Sequence, residues 1–82
     1  MAIRIEAIVK RDKPMIILDG ANFSGANLRG VNLSYLNMRG INLSGADLRG
    51  TNFEGSDLEG ANLKDVLIDK KTIIDKKWLV NQ

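Results

Sequence analysis

Large apolar side chains recur at every fifth position between Ile16 and Lys70, where the chain divides into eleven consecutive five-residue units. The third place of each unit is always large and apolar, and the first place is small or aliphatic. In extended backbone these two side chains point to the same side, which we predict to be the inside. A period of five fits neither a helix nor a strand, so it predicts a coil that turns a corner in every unit. The predicted core ladder consists of Leu18, Phe23, Leu28, Leu33, Met38, Leu43, Leu48, Phe53, Leu58, Leu63 and Ile68.

The other places of the unit carry turn-forming residues. The second place is Asn or Asp in nine of the eleven units, and such side chains hydrogen-bond nearby backbone. All eight glycines of the chain occupy the fifth place, which suits tight corners between faces. A strict period of this kind predicts a stack of equivalent units.

Units such as ANLRG, INLSG and ADLRG follow the pattern A(D/N)LxG, and the chain therefore resembles the pentapeptide-repeat family over about two thirds of its length. The resemblance implies an all-β fold, a right-handed quadrilateral parallel β-helix with four units per coil. Eleven units would make just under three coils, in which residues twenty apart stack. The predicted segments are an N-terminal cap strand and turn over 1–15, the repeat β-helix over 16–70 and a C-terminal cap over 71–82.

The flanks have their own patterns. Residues 2–10 alternate partly between apolar and polar, which predicts a strand that Pro14 ends. Thr72 and Asp75 resemble a capping box, so a short helical or irregular segment should place Trp78 on the last coil. An uncovered end of the column would expose apolar side chains, so each flank is either a cap or a dimer seam.

Charge is unevenly placed along the chain, whose net charge is +2. Residues 16–70 carry seven acids and five bases, so the flanks hold the basic surplus. With a twenty-residue stack, Arg39 should lie between two acids, Asp19 and Glu59. Arg29 and Arg49 should be like-charged neighbours below Asp69, a local cost unless something anionic binds there.

The composition argues against catalysis. Histidine and cysteine are absent, and no serine has an evident base, so we predict a protein that is not an enzyme. No ligand spacing predicts a metal site, and no cofactor is expected. The charged N-terminus lacks a signal-peptide core and no stretch is long enough to span a membrane, so the predicted location is the cytoplasm.

The predicted function is a non-enzymatic protein-interaction or scaffold module that binds through its faces or ends. Its partner is an unknown protein, with a homodimer through one end as a possibility. One alternative is contact of the basic flanks with nucleic acid or an anionic surface. Another comes from the resemblance, because some family members mimic DNA and bind type II topoisomerases; the mixed charge and short repeat disfavour it. Nucleic acid is predicted to be an unlikely partner. The candidate interaction residues are Arg29, Arg49, Trp78, Ile3 and Ile5.

Overall fold

A computed structural model describes residues 17–80 as a stack of parallel coils. Successive coils are joined by isolated parallel β-bridges between second-place residues, and seven of the eight bridges join residues twenty apart. Twenty residues hold four units, so each coil has four sides. The bridged pairs are Ile17–Asn37, Asn22–Asn42, Asn27–Asp47, Asn32–Asn52, Asn37–Asp57, Asn42–Asn62, Asp47–Leu67 and Asn52–Ile73.

Seven of the eight bridges consist of two backbone hydrogen bonds between described residues, and these follow the parallel pattern. At the bridge between Asp47 and Leu67, the Leu48 N–H donates to the Leu67 carbonyl at 2.8 Å. The Leu67 N–H donates to the Ala46 carbonyl at 3.0 Å. The backbone polar groups of one coil are therefore satisfied mainly by the next coil.

Second-place Asn and Asp side chains shape the corners as the sequence predicts. In all nine units that carry one, its Oδ1 accepts the backbone N–H of the residue two positions later, at 2.9–3.3 Å. The bond holds the turn that leads out of each side. The second place is thus fixed by local backbone chemistry, while the first and third places serve the core.

The fifth place adopts a left-handed backbone in ten of the eleven units, including two in which the residue is not glycine. Gly55 has φ +69°, Tyr35 has φ 58° and Asp65 has φ 61°. A side chain in this conformation costs about 1–2 kcal/mol, so glycine is the favoured residue. The coil geometry imposes the corner, and Tyr35 and Asp65 accept the strain.

Third-place side chains fill the column. Eight of the eleven are buried, from Leu28 to Leu63, and Leu18 and Phe23 are half-buried near the first described coil. The prediction was wrong for Ile68, which is 44% exposed. Its place in the unit is correct, but no later segment among residues 17–80 lies over it.

The series of β-bridges continues past Lys70, where the sequence predicted the end of the repeat β-helix. Ile73 pairs with Asn52 at a separation of twenty-one, because the corner at 69–71 holds one extra residue. The Thr72 hydroxyl lies at this corner, donating to the Leu48 carbonyl at 2.8 Å and accepting the Gly50 N–H at 3.2 Å. Thr72 therefore behaves as the first residue of another unit.

A 3₁₀ helix, Lys76–Leu79, follows this unit. Its N-cap is Asp75, whose carboxylate accepts the Lys77 N–H at 3.0 Å. The capping box predicted from Thr72 was therefore wrong, since that hydroxyl faces the coil. Trp78 is half-buried and packs against the core cluster. The predicted N-terminal cap, with Ile3 and Ile5, lies outside the described residues.

Candidate interaction surfaces

The face that carries Arg29 and Arg49 is organised by a carboxylate that the sequence reasoning did not assign to it. Arg49 donates to both oxygens of Asp47, from Nε at 2.9 Å and from a terminal nitrogen at 2.6 Å. Arg29 Nε lies 3.9 Å from the same carboxylate. Asp47 comes from the second place of its unit, and its side chain is only 19% exposed.

These contacts change the electrostatics of the face. Hydrogen bonds from the Arg49 side chain lower the pKa of Asp47 to about 2, against an opposing effect of desolvation. The same pair raises the pKa of Arg49. The predicted cost of stacking two arginines is thus offset by Asp47, and the face needs no external anion to be stable.

A second ion pair lies on the face of Arg39. Its Nε donates to Asp57 Oδ2 at 2.8 Å, and this hydrogen bond raises the pKa of Arg39. Backbone hydrogen bonding by Glu59, followed by the Arg39 contact, lowers the pKa of Asp57. The sequence predicted that the acids at 19 and 59 would balance Arg39, but its direct partner is again a second-place carboxylate. The sequence could have indicated a second-place carboxylate as the partner of Arg39, because second-place and fourth-place side chains lie close together at each corner.

Trp78 packs on the end of the column beside a groove of about 580 Å³ that Leu58, Lys64 and Val80 help to line. The Lys77 ammonium lies 4.7 Å from the centre of the indole ring, a cation–π contact. Because the ring is half-buried on the core and carries this lysine, its position favours a plug over a stacking platform for bases.

Another quadrant of the same end, which carries Leu67 and Ile68, is open. In the last coil, Phe53, Leu58 and Leu63 are 2%, 1% and 2% exposed, whereas Leu67 and Ile68 are 52% and 44% exposed. Sequence reasoning missed this patch, although one signal was present: Leu67 is apolar at a place that is Asn or Asp in nine of the eleven units. Two aliphatic side chains are therefore exposed at the rim of the column in this quadrant.

Within residues 17–80 no group of three His, Cys, Asp or Glu side chains could hold a metal ion. In the same range every buried side-chain nitrogen or oxygen has a hydrogen-bond partner. No helix of the described segment is long and apolar enough to cross a membrane.

Comparison with known proteins fits this geometry. The sequence model described as pentapeptide repeats matches residues 16–45 and 26–65, with eight copies. The chain belongs to the pentapeptide-repeat family. Members of this family form right-handed quadrilateral β-helices, in agreement with the four-sided parallel stack.

Two crystal structures of family members are similar to the chain. One is a pentapeptide repeat protein of the cyanobacterium Cyanothece 51142, at 36% identity and a TM-score of 0.67, with 74% of this chain and 47% of that chain covered. The other is a pentapeptide repeat protein of the Arabidopsis thaliana thylakoid lumen, at 28% identity and a TM-score of 0.65, with 78% and 41% covered. The chain thus spans less than half the length of either structure. No curated protein gives a significant match.

Proposed function

We propose that this pentapeptide-repeat chain is a non-enzymatic protein-interaction or scaffold module that acts through its exterior. The observation that carries the proposal is the filled column, in which Leu33, Met38 and Leu43 are completely buried and leave no room for a substrate between the coils. Specific contacts must then come from the sides and ends. A side offers paired charges at Arg29, Asp47 and Arg49, and the C-terminal end offers exposed aliphatic residues.

The partner in this proposal is another protein or a second copy that meets one end of the column. Exposed aliphatic side chains at an open rim favour association, because burying the exposed half of each one contributes about 1 kcal/mol. The cytoplasmic location predicted from the charged N-terminal residues belongs to the same proposal, and cell fractionation with a tagged chain tests it.

Charge on the sides favours a protein partner over DNA mimicry. A mimic needs a continuous acidic surface, whereas Arg29, Arg39 and Arg49 interrupt the acids and pair with them. Supercoiling by a type II topoisomerase should therefore be unaffected by the chain.

The proposed function can be tested by quantitative capture with the immobilised chain and two surface variants. Arg29→Glu changes the charge of one side, and Leu67→Asp changes the C-terminal rim. Both positions are exposed, so circular dichroism should show an unchanged fold. We expect a defined polypeptide that is captured by the wild type and lost with one variant only.

A matched control is Ser24→Asp, an exposed substitution at a fourth place away from both surfaces. It should leave capture unchanged. Capture that survives both surface variants, or that no chain gives above background, would contradict the proposal.

A further inference from the structure

We propose that the open quadrant of the last coil, formed by Val66, Leu67 and Ile68, binds an extended acidic segment of a partner protein as an added parallel strand. This rests on the proposed interaction function and specifies its surface and ligand.

The backbone of the quadrant repeats one half of the bridge found throughout the column. One coil below, the Ala46 carbonyl and the Leu48 N–H hold Leu67. At the rim the equivalent groups are the Val66 carbonyl and the Ile68 N–H, and neither has a hydrogen-bond partner within residues 17–80. An extended backbone supplies one N–H and one carbonyl at the required spacing, so a peptide strand is the ligand that this edge matches.

The shape of the end favours a single strand over the flat end of a second copy. The 3₁₀ helix Lys76–Leu79 stands over the neighbouring units, where Trp78 packs against the core and lines grooves with Phe53 and Leu58. That half of the end is raised, and the quadrant beside it is lower and uncovered. A second flat column would meet the helix first, whereas a strand fits beside it with one aliphatic side chain on Ile68.

Charge complementarity indicates the chemistry of that strand. Lys64, Lys70 and Lys71 are exposed at the corners that bound the quadrant, against the two acids Asp65 and Asp69. The Asp69 carboxylate is occupied by backbone donors, since its Oδ1 accepts the N–H groups of residues 50 and 71 at 3.0 Å each. The surplus of lysine favours a segment with acidic residues on either side of an aliphatic one.

The test uses a synthetic peptide with the spacing of the repeat itself, acetyl-ADLEGADLEG-amide, titrated into the full-length ¹⁵N-labelled chain. We expect chemical-shift changes confined to residues 64–71 and slower exchange of the Ile68 amide. Ile68→Ser should weaken binding about tenfold, whereas Ile73→Ser, similarly exposed but on the adjacent side, should leave it within about twofold.

Two peptide controls separate backbone from charge. Methylation of the Asp amide nitrogens removes the donor for the Val66 carbonyl and should abolish binding. Replacement of both Glu residues by Lys should weaken it, most strongly at low salt. No shift change at 64–71, equal binding of the lysine peptide, or a dimer by light scattering that Ile68→Ser dissociates would overturn the proposal. If the peptide fails while capture still depends on Arg29, only this inference is lost and the interaction function stands.

Discussion

At the scale of single residues, the hydroxyl of Ser56 supplies the hydrogen bonds at a corner where the direct backbone hydrogen bond is missing. Nine corners between 18 and 66 are closed by a bond from a first-place N–H to the carbonyl three residues earlier. The corner between Leu33 and Leu36 lacks that bond. Ser56, one coil away, accepts the Leu36 N–H at 3.1 Å and donates to the Leu33 carbonyl. The side chain is 6% exposed, so water cannot easily take over either role.

Ser56→Ala should therefore destabilise the protein, although alanine is the commonest residue at this place. Two buried backbone groups would lose their partner, and we expect a loss of about 1–3 kcal/mol in the free energy of unfolding. Thr51→Val is the matched control, because the Leu28 carbonyl that Thr51 contacts also accepts the Val31 N–H. Urea unfolding should give the smaller loss for Thr51→Val, and equal losses would refute the role of Ser56.

Gly55 and Tyr35 form a second residue-scale contact across the same two coils. A Cβ on Gly55 would overlap the Tyr35 ring, whereas a Cβ on Gly45 would meet only a backbone nitrogen at 4.0 Å. Both glycines have positive φ, so both alanine variants should lose about 1–2 kcal/mol through strain. Gly55→Ala should lose more, because the ring must also move from its place beside the corner.

A double-mutant comparison isolates this contact. In a Tyr35→Gly background, Gly55→Ala and Gly45→Ala should cost the same in urea unfolding, since the ring is gone. A difference that persists without Tyr35 would mean that the ring is not its cause.

At the scale of the repeat unit, the second place has two functions: holding the corner and pairing with an arginine. The consensus Asn or Asp at this place does not distinguish them. Asn and Asp serve equally in holding the corner, as the nine identical hydrogen bonds show. Asp47 and Asp57 add an ion pair with an arginine on a fourth place. The turn role follows from the sequence period, but the pairing depends on side-chain directions at the corner, which the period does not give.

Acid should expose the contribution of Asp47. Its pKa falls to about 2 in the folded state, below the ordinary value near 3.9, so its stabilisation is present above about pH 4 and is lost as the pH falls toward 2. Asp47→Asn should flatten the dependence of the urea midpoint on pH in this window. Asp57 and Asp69, whose pKa values are also lowered, should leave a residual slope.

Arg49→Met provides the reciprocal variant, because it removes the main cause of the lowered pKa while keeping a long side chain. It should also make the urea midpoint less dependent on pH between about pH 4 and pH 2. An unchanged slope in both variants would show that the pair does not contribute to stability in solution.

At the scale of the whole molecule, the column has a continuous interior and unequal coverage at its C-terminal end. Trp78 and the helix that carries it cover part of the last coil, and Ile68 stays open. Trp78→Ala should cost about 2–3 kcal/mol, less than for a fully buried tryptophan. Ile68→Ala should cost under about 1 kcal/mol, since much of that side chain is already in water. Thermal unfolding followed by circular dichroism measures both, and an equal loss at the two positions would contradict the asymmetry.

The five-residue period determined the inward places and the tight corners, because these follow from local backbone preferences repeated without interruption. The stack of residues twenty apart was implied by the family resemblance, and the β-bridges show it. Eight third-place residues from Leu28 to Leu63 are buried where the period put them. The tertiary structure decided what depends on neighbours in the next coil: the partner of each arginine, the hydroxyl bridge of Ser56 and the exposure of Ile68. It also extended the series of β-bridges beyond Lys70, since one extra residue there lets Ile73 pair with Asn52. Such outcomes depend on whether a later segment covers a given side chain, and a local pattern carries no information about that coverage.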